Sequence, residues 1–337
     1  MLYGIGLLLI FCVPAAVVTG LVLLHFYLRW KYLDLIARIF QEKPLFVIPR
    51  GSPVPEAEDI TIKTFDGLSL RGCYVSTPHP RRGVILFGLE FGSFRWSCLP
   101  YCEHLIENGF DVFALEARGQ GDSDKEPGYS PLQWVTDREV RDTKATIDYL
   151  KQRPDADPLG IGFFGISKGA GAGLLAAVRD PFVRCFVTDG LFASYTTVVP
   201  YMRQWFRIYD DNYFLQGLIP SWYYGLLGLA GLQSLESECD CQFLHLEKVM
   251  GKLTPRPLLM IHGSADTYIK PEMARSLFAL AREPKELWMV EGAKHNQALQ
   301  VAEETYRQKV LRFFLEHLGQ PTERITRHRR NKVAVGS

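Results

Sequence analysis

Ser167 lies in Gly165-Ile166-Ser167-Lys168-Gly169, and two further polar residues stand downstream in short glycine-containing stretches: Asp266 in His262-Gly263-Ser264-Ala265-Asp266 and His295 in Gly292-Ala293-Lys294-His295-Asn296. A serine hydroxyl is a weak nucleophile until a base takes its proton. Histidine supplies such a base near neutral pH, and a carboxylate beside it holds the tautomer and stabilises the imidazolium. Together these residue types suit covalent attack on a carbonyl carbon, if the fold brings them to one place.

The surrounding pattern supplies elements to do so. Segments 59–64 (DITIKT) and 68–75 (LSLRGCYV) alternate in polarity around the turn Phe65-Asp66-Gly67 and read as a hairpin. Short runs that are apolar throughout follow at 83–88, 111–116, 159–164, 184–188, 257–262 and 286–290, as expected of strands covered on both faces. Helix-length segments at about 97–108, 131–152, 168–179, 271–282 and 301–318 separate them, so a mostly parallel sheet flanked by helices is predicted. Ser167 then falls where a strand turns into a helix (GAGAGLLAAV). Small neighbours are needed at such a strained turn, and the helix N-terminus favours a developing anion. Asp266 and His295 each follow a later strand, in the order Ser, Asp, His. Read apart from this pattern, Asp266 suits a helix cap and His295 an ordinary surface loop. Asp189, in Thr188-Asp189-Gly190, is a second candidate acid, ranked below Asp266 and read as a turn or pocket residue. His262 is read as a support for the Asp266 loop.

These motifs resemble the α/β-hydrolase superfamily from about residue 59 to 319. Two further pieces carry the resemblance: Thr64-Phe65-Asp66-Gly67-Leu68, and Ala117-Arg118-Gly119-Gln120-Gly121-Asp122-Ser123, similar to the family's R-G-x-G-x-S loop. The resemblance implies Ser167, Asp266 and His295 as the catalytic residues. It also implies an oxyanion hole made by the backbone N–H groups of Lys168 and Leu89. Many relatives carry His-Gly where this chain has Phe87-Gly88-Leu89-Glu90. The departure touches side chains, whereas backbone amides would do the work. Glu90 either meets a polar substrate group or points to solvent, and Arg118 is expected to pair structurally.

Residues 2–28 contain no Asp, Glu, Lys or Arg. As a helix they would reach roughly 40 Å at ~1.5 Å per residue, more than the ~30 Å hydrocarbon thickness. Pro14 would kink this helix without excluding it. An uncleaved anchor is expected over 1–28; a cleaved leader lacks a basic start and has too long an apolar run. Arg29, Lys31, Arg38 and Lys43 follow the span, which by the positive-inside tendency leaves the C-terminal part in the cytoplasm. A juxtamembrane amphipathic helix at 31–40 and a connector with Pro44, Pro49, Pro53 and Pro55 would complete 29–58. An aromatic-rich helical cap is expected at about 190–256, inserted over the strand ends with some of its aromatics lining an apolar pocket. The tail 320–337 is basic, read as solvated or as meeting the inner leaflet.

Composition narrows the function. There are 38 basic and 37 acidic residues, so the body has no field that favours nucleic acid. The seven cysteines fit no disulfide framework and suit a reducing compartment. Cys239 and Cys241 are too close for a usual zinc pair and have no partner pair. No cofactor or metal is called for. The reading is hydrolysis of a carboxylic ester, apolar or lipid-like, through an acyl-serine intermediate. The alternatives are an acyl-CoA thioesterase, a peptidase, and a membrane-tethered scaffold without activity.

Overall fold

A computed structural model describes residues 2–41, 49–209, 216–217 and 219–318. The basic tail, part of the proline connector with Lys43 and Pro44, and part of the insertion lie outside these residues. The chain divides into two compact units, one of 1–41 with 198–238 and one of 42–197 with 239–337.

The larger unit is built on eight strands: β1 (Glu58–Lys63), β2 (Ser69–Val75), β3 (Gly83–Gly88), β4 (Phe110–Leu115), β5 (Ile161–Ile166), β6 (Val183–Asp189), β7 (Leu258–Gly263) and β8 (Lys285–Val290). Their order is β1-β2-β4-β3-β5-β6-β7-β8. β1 pairs antiparallel with β2 and β2 antiparallel with β4; all other pairs are parallel. Every expected strand is present, with ends shifted by no more than two residues. Among the described residues six α-helices lie along the unit: α2 (Leu99–Ile106), α3 (Asp137–Gln152) and α4 (Lys168–Ala177) come first, then three that follow the insertion, numbered below. α3 begins six residues later than its apolar pattern suggests. Thr136 and Glu139 form a capping box there, which satisfies the first free amides and sets the start.

Alternation along the strands explains why they are apolar throughout. In β3, Ile85 and Phe87 enter one core layer while Val84 and Leu86 enter the other; in β5, Phe164 and Ile166 oppose Ile161 and Phe163. One layer meets α2, the other α3 and α4. Chain order reverses across the β3–β5 boundary, the position at which open α/β sheets present a crevice beyond the carboxyl ends of the strands.

The smaller unit differs from the expected anchor and cap. The anchor and juxtamembrane helix are one continuous helix, α1 (Leu2–Gln41), with Pro14 inside it. Among the described residues, the insertion forms the helices α5 (Val198–Tyr209) and α6 (Ser221–Glu238). These helices cluster with α1, whereas 190–197 and 239–256 belong to the larger unit. One face of α1 (Leu28, Tyr32, Ile36, Ile39, Phe40) is buried. Tyr32 packs on Phe206 with ring centroids 4.5 Å apart, and Phe206 on Tyr224 at 5.1 Å. A Cβ at Gly231 would lie 2.2 Å from the Ile36 side chain, so glycine lets α6 approach α1 closely. Between Cys12 and Gln41, α1 contains an 18-residue stretch with a mean hydropathy of 1.6, and it is long and apolar enough to cross a membrane. The remaining helices of the larger unit are α7 (Pro271–Leu280), α8 (Ala298–Val301) and α9 (Glu303–His317).

The glycines of α4 follow from packing. A Cβ on Gly173 would fall 1.8 Å from the Phe163 ring of β5. Gly173→Ala is therefore expected to destabilise the larger unit by about 1–3 kcal/mol, as overpacked cores do. Denaturant unfolding of the detergent-solubilised full chain measures it; an unchanged midpoint would show that Phe163 has room to move.

Candidate active site

Ser167 occupies the turn between β5 and α4 with φ 50° and ψ −119°, a left-handed conformation for a residue with a side chain. Its surroundings hold it there. The Ser167 N–H donates to the Asp189 carbonyl at 2.7 Å. A Cβ on Gly165 would come within 2.6 Å of the Ala170 backbone, and one on Gly169 within 2.4 Å of the Leu89 carbonyl and 2.5 Å of Gly88. The glycines on either side of Ser167 thus allow both the turn and the approach of α4 to the loop after β3.

The structure brings the three sequence-predicted residues together. Ser167 Oγ lies 3.0 Å from His295 Nε2, and His295 Nδ1 lies 2.6 Å from Asp266 Oδ2. All three side chains are buried. With Nδ1–H donating to the carboxylate, Nε2 is free to accept the serine proton. Asp266 Oδ1 accepts the backbone N–H groups of Tyr268 and Ile269, each at 2.8 Å, which fixes the carboxylate plane. His262 donates from Nε2 to the Ile269 carbonyl at 2.8 Å and so braces the same loop; burial, outweighing the Asp266 charge, holds its pKa below the usual imidazole value. The loops after β7 and β8 are stitched by the Ser264 N–H to the Val290 carbonyl (2.8 Å) and the Ala265 N–H to the Ala293 carbonyl (2.9 Å). A Cβ at Gly263 would lie 2.2 Å from the Ala293 carbonyl.

The two amides assigned to the oxyanion hole are also positioned. Gly88 pairs with Gly165 at the end of the sheet, so Leu89 stands one residue beyond the ladder, level with Ile166. Lys168 is the first residue of α4, where helical amides have no intrahelical partner. Its side chain is buried, donating to the Leu132 carbonyl at 2.6 Å and to Glu139 Oε1 at 2.8 Å. Burial opposes ionisation of Glu139, but the Lys168 charge and hydrogen bonds from Lys168, Tyr129 and Thr136 keep its carboxyl below the usual range. This ion pair ties the start of α4 to the start of α3. Arg118 pairs structurally: its guanidinium binds Asp142, and it donates to Asp66 at 2.9 Å and to Glu126 at 2.7 Å.

Comparisons with known proteins agree with this framework. A family profile, Hydrolase_4, described as serine aminopeptidase, S33, matches residues 81–235, from β3 into α6. An uncharacterized protein of Escherichia coli O157:H7, YfhR, is 28% identical over 273 residues, covering 78% of this chain and 82% of its own. A polyketide transferase of Stachybotrys chlorohalonatus, ATR5, is 26% identical over 293 residues, covering 76% of this chain and 96% of its own. Among solved structures, an esterase of Pyrococcus furiosus superposes with a TM-score of 0.61 at 22% identity, covering 83% of this chain and 99% of its own. The sheet and its flanking helices have the α/β-hydrolase fold.

Within this fold, two carboxyl groups take places the sequence left open. Glu90 does not point to solvent. It is buried, and its Oε2 accepts from Asn296 Nδ2 at 2.5 Å. Asn296 directly follows His295 and has φ 56°. The pair therefore joins the loop after β3 to the loop that carries the histidine. The only sequence signal for it was an acidic residue beside an expected amide donor; its partner is 206 residues away. Asp189 Oδ2 accepts from the Tyr306 hydroxyl at 3.0 Å, and its backbone carbonyl accepts from the Ser167 N–H. Gly190 passes close to His295 and Asn296, where a Cβ would lie 2.5 Å from Asn296 Oδ1 and 3.2 Å from His295 Cε1. Among the described residues no cluster of three or more His, Cys, Asp or Glu could hold a metal ion.

Burial pushes Glu90 up to about 7, against the Asn296 hydrogen bond and helped by the Asp189 charge. Burial likewise pushes Asp189 up to about 7, against the Tyr306 hydrogen bond. Each folded carboxyl keeps its proton where the unfolded group, at 4.5 or 3.8, has released it. The resulting stabilisation is present at acid pH and is lost as pH rises from those values through about 7. Glu90→Gln keeps an acceptor for Asn296 and removes one titration. It should flatten the decline of the denaturation midpoint across this window; an unaltered slope would mean that Glu90 is ionised throughout.

Proposed function

We propose that this chain is a membrane-tethered serine hydrolase that cleaves a carboxylic ester, apolar or lipid-like, through an acyl-serine intermediate. The observation that carries the reading is the buried chain Ser167 Oγ–His295–Asp266, with spacings of 3.0 and 2.6 Å. In this mechanism His295 takes the serine proton as Ser167 attacks the ester carbonyl. Asp266 stabilises the imidazolium, and the Leu89 and Lys168 amides receive the oxyanion. His295 then gives the proton to the leaving alcohol. Water, activated by the same base, releases the acid and restores the serine.

The esterase neighbour and the transferase relative both support acyl chemistry, and a thioester would follow the same course. The apolar preference rests on the anchor. In this reading α1 spans a bilayer, and Arg29, Lys31 and Arg38 hold its C-terminal end, with the hydrolase, on the cytoplasmic side. The basic tail would remain on that side.

A fluorophosphonate probe should label the full-length protein, and Ser167→Ala should abolish labelling; a folded wild type that takes no label would favour a non-catalytic scaffold. p-Nitrophenyl esters of increasing chain length, an acyl-CoA and an aminoacyl anilide, assayed in detergent, then divide ester, thioester and peptide activities. Asp266→Asn should lower kcat on the order of 10⁴-fold, while Asp189→Asn stays within about tenfold of wild type. The opposite ranking would move the acid to β6.

A further inference from the structure

The exposed faces of α1 and α6 change from apolar to polar at the same level. On α1, the exposed surface from Val13 to Trp30 carries large apolar side chains, among them Val17, Leu21, Leu23, Phe26 and Trp30, with no exposed charge before Lys31, Asp34 and Arg38. On α6 the outward stripe runs Trp222, Leu226, Leu229, Gln233, Ser237, at the spacing of one helical face. Its first three members are 65%, 48% and 38% exposed, and the last two are polar.

The two helices run parallel, so these stripes can be aligned. His25 Nδ1 lies 2.8 Å from the Tyr223 hydroxyl, and Gly231 packs on Ile36. Trp222 and Leu226 therefore stand level with the last apolar turns of α1. Leu229 falls within about one turn (~5.4 Å) of its polar boundary, and Gln233 lies beyond it. No Asp, Glu, Lys or Arg occurs in α6 before Glu236. A solvated helix has no use for an outward Trp-Leu-Leu stripe. Contiguous exposed apolar surface marks an interaction site, and this patch continues the face of a helix whose length matches a bilayer. Tyr27 and Trp30 stand within about one turn (~5.4 Å) of the boundary and Trp222 and Tyr223 within about two, a depth range where amphipathic rings suit the headgroup region. Arg29 and Lys31 at the same level complement anionic headgroups.

We propose that the first turns of α6, through Trp222, Leu226 and Leu229, are inserted into the bilayer interface alongside α1, so that the insertion within the hydrolase sequence is itself a membrane-contacting element. From Trp222 to the boundary is about six residues, or ~9 Å, the depth at which interfacial helices bury their apolar face. The proposal rests on the reading of α1 as a membrane span.

Single cysteines at Leu226, Gln233 and Val17, labelled with an environment-sensitive fluorophore, test it in the full-length chain. The protein is reconstituted in phosphatidylcholine–phosphatidylglycerol vesicles. Cys12 is the one exposed native cysteine among the described residues and is replaced by Ser. The Leu226 label should be quenched by lipids that carry a nitroxide near the headgroup and be shielded from aqueous iodide. The Gln233 label should behave in the opposite way, and the Val17 label should respond to nitroxides deep in the acyl chains. A Leu226 label as open to iodide as Gln233 overturns the proposal, and a deeply quenched Val17 in the same experiment leaves the span intact. A Leu226 label shielded from both lipid nitroxide and iodide also overturns it, in favour of contact with a second copy. A Val17 label open to iodide removes the span, and the Leu226 result then decides the interfacial contact by itself.

Discussion

The site depends on one close backbone approach. Ser167 can present its hydroxyl only from a strained left-handed turn, which must be held by neighbours packed closer than side chains permit. Gly165 and Gly169 make room within the turn, and Gly169 lies against the Gly88–Leu89 backbone. A larger residue at either place would push the Ser167 turn away from the loop after β3. Gly263 repeats the device between the loops that carry Asp266 and His295, and Gly190 repeats it against His295 and Asn296.

Around this contact lies a set of buried polar pairs, each joining segments distant in sequence. Lys168 and Glu139 tie two helix starts; Glu90 and Asn296 tie the loops after β3 and β8; Asp189 and Tyr306 tie β6 to α9. Such pairs add little net stability, because desolvation offsets much of their attraction, but removal of one partner leaves a costly unpaired group. They serve to make the arrangement of loops unique. The two raised carboxyls show the same balance, since a proton is retained where full ionisation would place two negative charges near each other in a water-poor interior.

The smaller unit follows a different logic. Its helices are joined by aromatic rings and by glycine contacts such as Gly231 against Ile36. An insertion that packs with the N-terminal helix places a segment taken from between β6 and β7 in the same unit as the apolar span. Segments separated by more than 150 residues then share one apolar face.

Much of this was legible in the chain itself. Period-two alternation, short apolar runs and turn residues defined the strands, since each strand inside a doubly covered sheet must be apolar on both faces. The motifs GISKG, HGSAD and GAKH marked Ser167, Asp266 and His295, because a residue just beyond a parallel strand has one place to go. The absence of charge over 2–28 marked a segment apolar enough to cross a membrane as a helix. Tertiary structure alone decided three things: that Asp266 bonds to the imidazole and Asp189 to Tyr306, that Glu90 turns inward to Asn296, and that α5 and α6 associate with α1. Each is a pairing between distant segments. Local spacing fixes which face a residue occupies, but the partner on that face is chosen by packing of the whole chain.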